Sequence, residues 1–265
     1  MTLAQWHDKR KSYVRPIDLM QKGPSSLTVI TYIYGDRLYV ESNFYQIENA
    51  IRETWFHLGM LQTVIVTSAK TPAIEQFENC FSHWVRVDIC NSLKSGDLYE
   101  YSRDCIKNLH TRFDTPYMLF VHPDGFPLRG GISEFLGCWD YIGAPWCKSS
   151  DDWIGRLLLS RKNFVGNGGF SLRSHEICEK ASYWYQKGFK AIPNIFMMYE
   201  DIFFTRVLTK YVPSYRNKFI IAPPKVAARF AIEQTELCES LMPLGFHSAK
   251  AFEKLSADFP HSLVE

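Results

Sequence analysis

The run Leu27-Thr28-Val29-Ile30-Thr31-Tyr32-Ile33-Tyr34, with Gly35-Asp36 behind it, decides the fold. It is a β-branched and aromatic strand that stops at a turn signal. Outward from it, apolar spacing predicts a helix over 39–58, a second strand over 63–67, a helix over 73–81 and a third strand over 85–89. This βαβαβ alternation calls for one α/β domain, Rossmann-like, with a mostly parallel twisted sheet flanked by helices. Such sheets bind ligands outside the carboxyl ends of their strands, so Tyr34, Gly35, Thr67 and Asp88 become candidate ligand contacts. A further helix over 98–113 carries Arg103 and Lys107 off its apolar face and feeds a strand over 117–121, just past which stands Asp124.

Nearly half of the 265 residues are apolar, at 46%, which is ample for a large core and excludes a largely disordered chain. A net charge of +2 gives no case for a nucleic-acid surface, although a locally basic cleft for a diphosphate would not show in that total. The seven cysteines are odd in number and scattered, without a C-x-x-C pair, so reduced thiols are expected and neither a disulfide framework nor a structural zinc site. Residues 1–26 are polar and basic, through Lys9, Arg10, Lys11 and Arg15, and end in Gly23-Pro24-Ser25-Ser26. They read as an N-terminal appendage ahead of a domain over 27–265; Trp6 and Tyr13 suit either an anionic membrane surface or packing on the domain. The start shows no signal-peptide stretch, and no window approaches the ~20 apolar residues of a membrane span. The expectation is a cytoplasmic protein with at most peripheral contact with the membrane.

Two motifs carry the chemistry. Val165-Gly166-Asn167-Gly168-Gly169-Phe170-Ser171-Leu172-Arg173 is a glycine turn that lets backbone approach a ligand, with a helix expected over 170–187 capped by Ser171 or Ser174. It matches neither a phosphate loop nor a dinucleotide fingerprint, and glycines also serve bends that bind nothing. Glu200-Asp201 opens a helix whose apolar residues Phe203, Phe204, Val207, Leu208 and Tyr211 bury one face, so its carboxylates are positioned; acids at a helix start are also common for charge complementarity alone. Asp124 in Pro123-Asp124-Gly125 is a metal candidate or simply part of a tight turn. His122 and His247 are ligands or satisfied structural histidines, and Trp139, Trp146 and Trp153 are sugar platforms or packing. Residues 147–162 lack a clear period and are read as a flap over the site.

The order of these segments resembles the GT-A glycosyltransferases. From about residue 27 to 255 the chain is similar to a bacterial glycosyltransferase-like family long labelled a domain of unknown function. The resemblance is carried by Asp140-Tyr141-Ile142-Gly143-Ala144-Pro145-Trp146, the glycine motif, Glu200-Asp201-Ile202-Phe203-Phe204, Ala222-Pro223 with Ala228, Phe230 and Glu233, and Gly245-Phe246-His247. It implies transfer of a sugar from a nucleotide-sugar, UDP-linked, to a glycan or lipid-linked saccharide hydroxyl. In that scheme Asp201 is the base, and its helix start keeps it ionised. Glu200 orients substrate, and Asp124 with His122 and His247 holds Mn²⁺ or Mg²⁺. Gly168 and Gly169 admit the sugar ring, Tyr34, Gly35, Thr67, Asp88 and Arg103 serve the donor, and Trp146 and Glu233 meet the acceptor. The usual Asp-x-Asp is His122-Pro123-Asp124 here, which implies weakened metal dependence. A sugar nucleotidyltransferase and a catalytically silent nucleotide- or glycan-binding module are the alternatives.

Overall fold

The computed structural model describes residues 1–11, 21–146, 165–187, 199–212, 218–233 and 242–259. Helix α1 (Leu3–Arg10) precedes β1 (Leu27–Ile33), α2 (Arg37–Leu58), β2 (Gln62–Thr67), α3 (Pro72–Cys80) and β3 (Val85–Ile89). Helix α4 (Leu98–Asn108) then tightens into a 3-10 turn, Leu109–Arg112, before β4 (Tyr117–Phe120). Strand β5 (Tyr141–Gly143), β6 (Ser171–Ser174) and α5 (His175–Gln186) follow. Helix α6 (Glu200–Ile202) continues as a π-helix over Phe203–Tyr211. The chain closes through α7 (Pro224–Phe230), β7 (Ala231–Ile232), β8 (Gly245–Phe246) and α8 (Ala249–Asp258).

The sheet runs β3-β2-β1-β4-β6-β5, with β1 to β4 mutually parallel and β6 antiparallel to both its neighbours. Period-two alternation splits β1 between two cores. Val29 and Ile33 pack with Val40, Phe44, Ile51 and Trp55 of α2, whereas Ile30 and Tyr32 pack with Tyr101, Cys105 and Ile106 of α4 and with Phe203 to Leu208. This is the two-faced α/β sheet expected from the alternation.

One expectation is corrected. Residues 171–174 form a strand, not the first turn of a helix: Met118 pairs with Arg173 and Leu119 with Leu172, and pairing to a strand fifty residues away overrides local propensity. Ser174 does cap α5, its hydroxyl accepting from the Ile177 N–H at 3.2 Å. At the N-terminus, Leu3, Trp6 and His7 of α1 are buried against the domain, so residues 1–11 are packed on it and Trp6 does not face a membrane. The expected flap over 147–162, with Trp153, and the residues Tyr13 and Arg15 lie outside the described residues. Among the described residues, no helix is long and apolar enough to cross a membrane, and Cys80, Cys90, Cys105, Cys138 and Cys178 are free thiols.

A buried polar knot secures the second core. The Arg112 guanidinium bonds Asp104, with Nη2 donating to Oδ1 at 3.1 Å, and the Tyr32 hydroxyl donates to Asp104 Oδ2 at 2.9 Å. Burial pushes the Asp104 carboxyl up, but its bonds from Arg112, Asn108 and Tyr32 outweigh this and hold it below the ordinary carboxylate range. Asp104→Asn leaves Arg112 only its longer ion pair with Asp88, at 3.7 Å, and is expected to cost about 3 kcal/mol at pH 7. A carboxyl with a depressed folded pKa stabilises above its unfolded value of ~3.9 and loses that contribution as pH falls through the folded value. Urea unfolding of both proteins should therefore show the gap closing toward acid pH; a gap that stays constant with pH would refute the ion-pair account.

Candidate active site

The strand order reverses between β1 and β4, since β2 and β3 lie on one side of β1 while β4 lies on the other. The carboxyl ends of such a pair diverge and leave a crevice. Past β1, the Asp36 carboxylate caps α2 by accepting from the Tyr39 N–H at 2.7 Å, and the Ser68 hydroxyl ties the loop by donating to the Gly35 carbonyl at 2.7 Å. Past β4, residues 122–125 turn back on themselves, His122 N–H bonding the Gly125 carbonyl at 2.8 Å and Gly125 N–H the His122 carbonyl at 3.0 Å. Between these loops lies a cleft of about 690 Å³ lined by Tyr34, Gly35, Tyr39, Asn43, His122 and Asp124, among others.

His122 and Asp124 of the cleft lining, together with His247, each offer one ligand atom, all within 4.8 Å of one another. His247 follows β8, whose pairing with β7 carries it to the crevice, and its backbone N–H bonds the Ile232 carbonyl at 2.8 Å. Its Nε2 lies 3.7 Å from Asp124 Oδ1, and its Nδ1 lies 3.5 Å from Glu233 Oε1, an ion-pair separation that leaves that nitrogen without a hydrogen bond. Burial pulls the His247 pKa down, but Glu233, Asp124 and Asp201 together leave it raised. His122 goes the other way: burial takes it to about 4, a neutral ring with a lone pair to give.

This donor set suits a divalent cation. One imidazole is held neutral, and the other sits among carboxylates that favour positive charge on its ring, whether a proton or a metal ion supplies it. A carboxylate behind the far nitrogen is the usual support of a ligating histidine. Two imidazoles and one carboxylate favour Mn²⁺ over Mg²⁺.

The glycine loop serves this group. A Cβ on Gly169 would stand 2.0 Å from His247 Nε2, and one on Gly168 would stand 2.1 Å from Glu200 Oε1. The two glycines are thus the seats of an imidazole and a carboxylate. The loop itself is fixed by the Tyr141 hydroxyl, which reaches the carbonyls of Gly166 at 3.2 Å and Asn167 at 3.1 Å. The Trp146 ring packs on Gly166, where a Cβ would meet it at 2.6 Å.

Glu200 is buried and bonded to Arg173, whose Nη2 donates to Oε1 at 2.9 Å. The Arg173 guanidinium, fully buried, also lies over the rings of Phe120, Tyr141 and Phe204 at 4.7–5.2 Å. Glu200 is therefore held as the counter-ion of Arg173. Arg173 was assigned no role in the sequence; the signal is the adjacent acid pair, which needs a cation if either member is buried. Partly buried Asp201 accepts from the Ile202 N–H at 2.7 Å. Burial and then Glu200 push its carboxyl well above the usual range, against the expectation that the helix start keeps it ionised. Desolvation and a like charge outweigh the dipole of a helix only three residues long before it widens.

The remaining candidates divide. Tyr34 and Gly35 line the cleft, with Tyr34 stacked on Tyr101 at 5.1 Å. Thr67, Asp88 and Arg103 do not line it. The Thr67 hydroxyl donates to the Ala69 carbonyl, Asp88 pairs with Arg86 at 3.1 Å, and Arg103 pairs with Glu100 on α4. Glu233, expected at the acceptor, is the carboxylate behind His247.

Superposition on solved structures places the chain in the GT-A glycosyltransferase fold. An active-site mutant of LgtC matches with a TM-score of 0.50 at 11% identity, over 87% of this chain and 95% of that one. The galactosyltransferase LgtC in complex with donor and acceptor sugar analogs gives 0.49 at 9% identity, over 87% and 94%. A mannosyltransferase from Pyrobaculum calidifontis in complex with GDP-Man and Mn²⁺ gives 0.41 at 13% identity, over 84% and 62%. No curated protein matches the sequence. The family described as "Protein of unknown function (DUF5672)" matches residues 96–247, more than half of the chain and every motif from Asp124 to His247, and the protein belongs to that family.

Proposed function

We propose that the protein is a glycosyltransferase that moves a sugar from a nucleotide-sugar, UDP-linked, to a hydroxyl of a glycan, polysaccharide or lipid-linked saccharide, with inversion. The observation that carries this reading is the cation-favouring group of His122, Asp124 and His247, two of which line the switch-point cleft. The nucleoside lies along the ends of β1 and β4, with the diphosphate at the group. His122, Asp124 and His247 would hold a divalent ion there, which would supply positive charge against the departing diphosphate. Asp201 takes the proton of the acceptor hydroxyl as its oxygen bonds the anomeric carbon, while the bond from that carbon to the diphosphate breaks and its electron pair leaves with the phosphate. Its raised pKa makes Asp201 a stronger proton acceptor than an ordinary carboxylate. Arg173 and Glu200 hold the segment in place, Glu233 steadies His247, and Trp146, partly exposed beside Gly166, is the acceptor platform.

The test is thermal shift and calorimetric titration with UDP and UDP-sugars, in Mn²⁺, in Mg²⁺ and in EDTA. Mn²⁺ with a UDP compound is expected to stabilise most, and Mg²⁺ less. If no nucleoside diphosphate stabilises the protein at millimolar concentration, with or without metal, the transferase reading fails.

A further inference from the structure

Helix α1 opens with a capping box, Thr2 and Gln5 each accepting the other's backbone N–H at 2.9–3.2 Å. Its apolar residues Leu3, Trp6 and His7 stand at i, i+3 and i+4 and share one buried face. Trp6 stacks on Phe126, centroids 4.9 Å apart, and meets Phe252 of α8 edge-on at 5.9 Å. Arg10 pairs with Glu53 of α2 at 2.7 Å. These contacts set the His7 ring against the turn that bears two members of the metal group, with Nε2 2.8 Å from the Pro123 carbonyl.

The tautomer follows from the partners. A carbonyl only accepts, so Nε2 carries the proton and Nδ1 is the acceptor, which faces Asn49 Nδ2 at 3.3 Å. Asn49 Nδ2 also lies 3.2 Å from the His7 carbonyl, so α2 holds the ring through the side chain and the backbone together. The next carbonyl of the turn, that of Asp124, accepts from the N–H of Ser248 at 2.7 Å. Ser248 follows His247 and caps α8 with φ at +93°, the left-handed region that non-glycine residues adopt only when their surroundings impose it. Consecutive carbonyls between His122 and Gly125 are thus clamped by the helices α1 and α8, at a turn that otherwise closes on two hydrogen bonds of its own.

We propose that His7 is a positioning residue of the metal group: through the Pro123 carbonyl it fixes the turn that aims His122 and Asp124 at His247, which makes the N-terminal helix a working part of the site. The inference rests on the reading of His122, Asp124 and His247 as a divalent-cation site. Rotation of an unbraced Pro123 peptide would move both flanking ligands at once, whereas His247 is anchored independently by its bond to Ile232.

The experiment titrates Mn²⁺ alone into the wild type, His7→Phe and His7→Gln, with melting temperatures measured in EDTA. His7→Phe keeps a ring but has no donor and should bind Mn²⁺ about tenfold more weakly, the scale of losing a group behind a metal site. His7→Gln presents an amide N–H near the Nε2 position and should recover most of that loss. Phe77→Leu, in the core between α2 and α3, is the stability control and should lower the melting temperature while leaving Mn²⁺ affinity unchanged. Unchanged affinity in folded His7→Phe overturns the proposal, as does failure of His7→Gln to recover what His7→Phe loses. Should His7→Phe not fold, His7→Met puts a flexible apolar side chain without a donor in the same place, and undiminished Mn²⁺ binding there overturns the proposal equally. A wild type that takes up no Mn²⁺ removes the cation reading itself, and the proposal with it.

Discussion

Asp201→Asn is expected to lower sugar transfer by ~10²–10⁴-fold, the usual contribution of a general base, while nucleotide affinity stays close to wild type. The amide keeps the size and polarity of the carboxyl but cannot take the acceptor's proton. Stability separates this role from charge complementarity at a helix start, because burial and Glu200 push the Asp201 pKa up. A carboxyl whose folded pKa is raised destabilises the native state once it ionises. That cost is absent below its unfolded value of ~3.9 and fully present above the folded one. In EDTA at neutral pH the variant should therefore melt at the same temperature as wild type or higher, and its advantage should shrink toward acid pH. A carboxylate that merely complemented the helix dipole gives the opposite pair of results, with a lower melting temperature and near-normal turnover on a verified acceptor.

The parallel half of the sheet was legible because strands buried on both faces must be almost continuously apolar, as β1 is. Their ends then pointed to Tyr34, Gly35 and Asp124. The same rule also offered Thr67 and Asp88, since every parallel strand has a carboxyl end; only the strand order shows that the crevice opens between β1 and β4. Strand β6 was illegible for a different reason. Ser171-Leu172-Arg173-Ser174 has the composition of a solvated segment, and its burial comes from pairing with β4 and from the partner that Glu200 supplies. The glycines were recognised as a place of close approach, but whose approach depended on Glu200 and His247, which arrive from 32 and 78 residues further along the chain. The contribution of α1 carried no signal, because a lone histidine on an apolar helix face is ordinarily a core residue.

Gly169→Ala is expected to abolish high-affinity Mn²⁺ binding in a protein that still folds. The added methyl would stand 2.0 Å from Nε2 and 2.1 Å from Cδ2 of His247, well inside contact distance, so one of the two must give way. The loop cannot, since Tyr141 holds it from below and Gly125 packs so closely on the Gly169 carbonyl that a Cβ there would meet it at 2.9 Å. The imidazole is the free end of a side chain, and rotation about its χ angles moves it away from Asp124 and His122. The loss should reach or exceed the ~10–100-fold that follows when a ligand's supporting group is removed, because here the ligand itself is evicted. Gly168→Ala makes a useful contrast: its methyl would strike Glu200, which Arg173 pins in place, so that variant should lose stability instead of metal alone. The coupling can be measured directly. If Gly169→Ala acts by evicting His247, then adding it to His247→Ala should weaken Mn²⁺ binding no further, and the double-mutant cycle should show strong non-additivity. Additive losses would mean that the added methyl acts on the ion by a route other than His247, and the eviction account would fall.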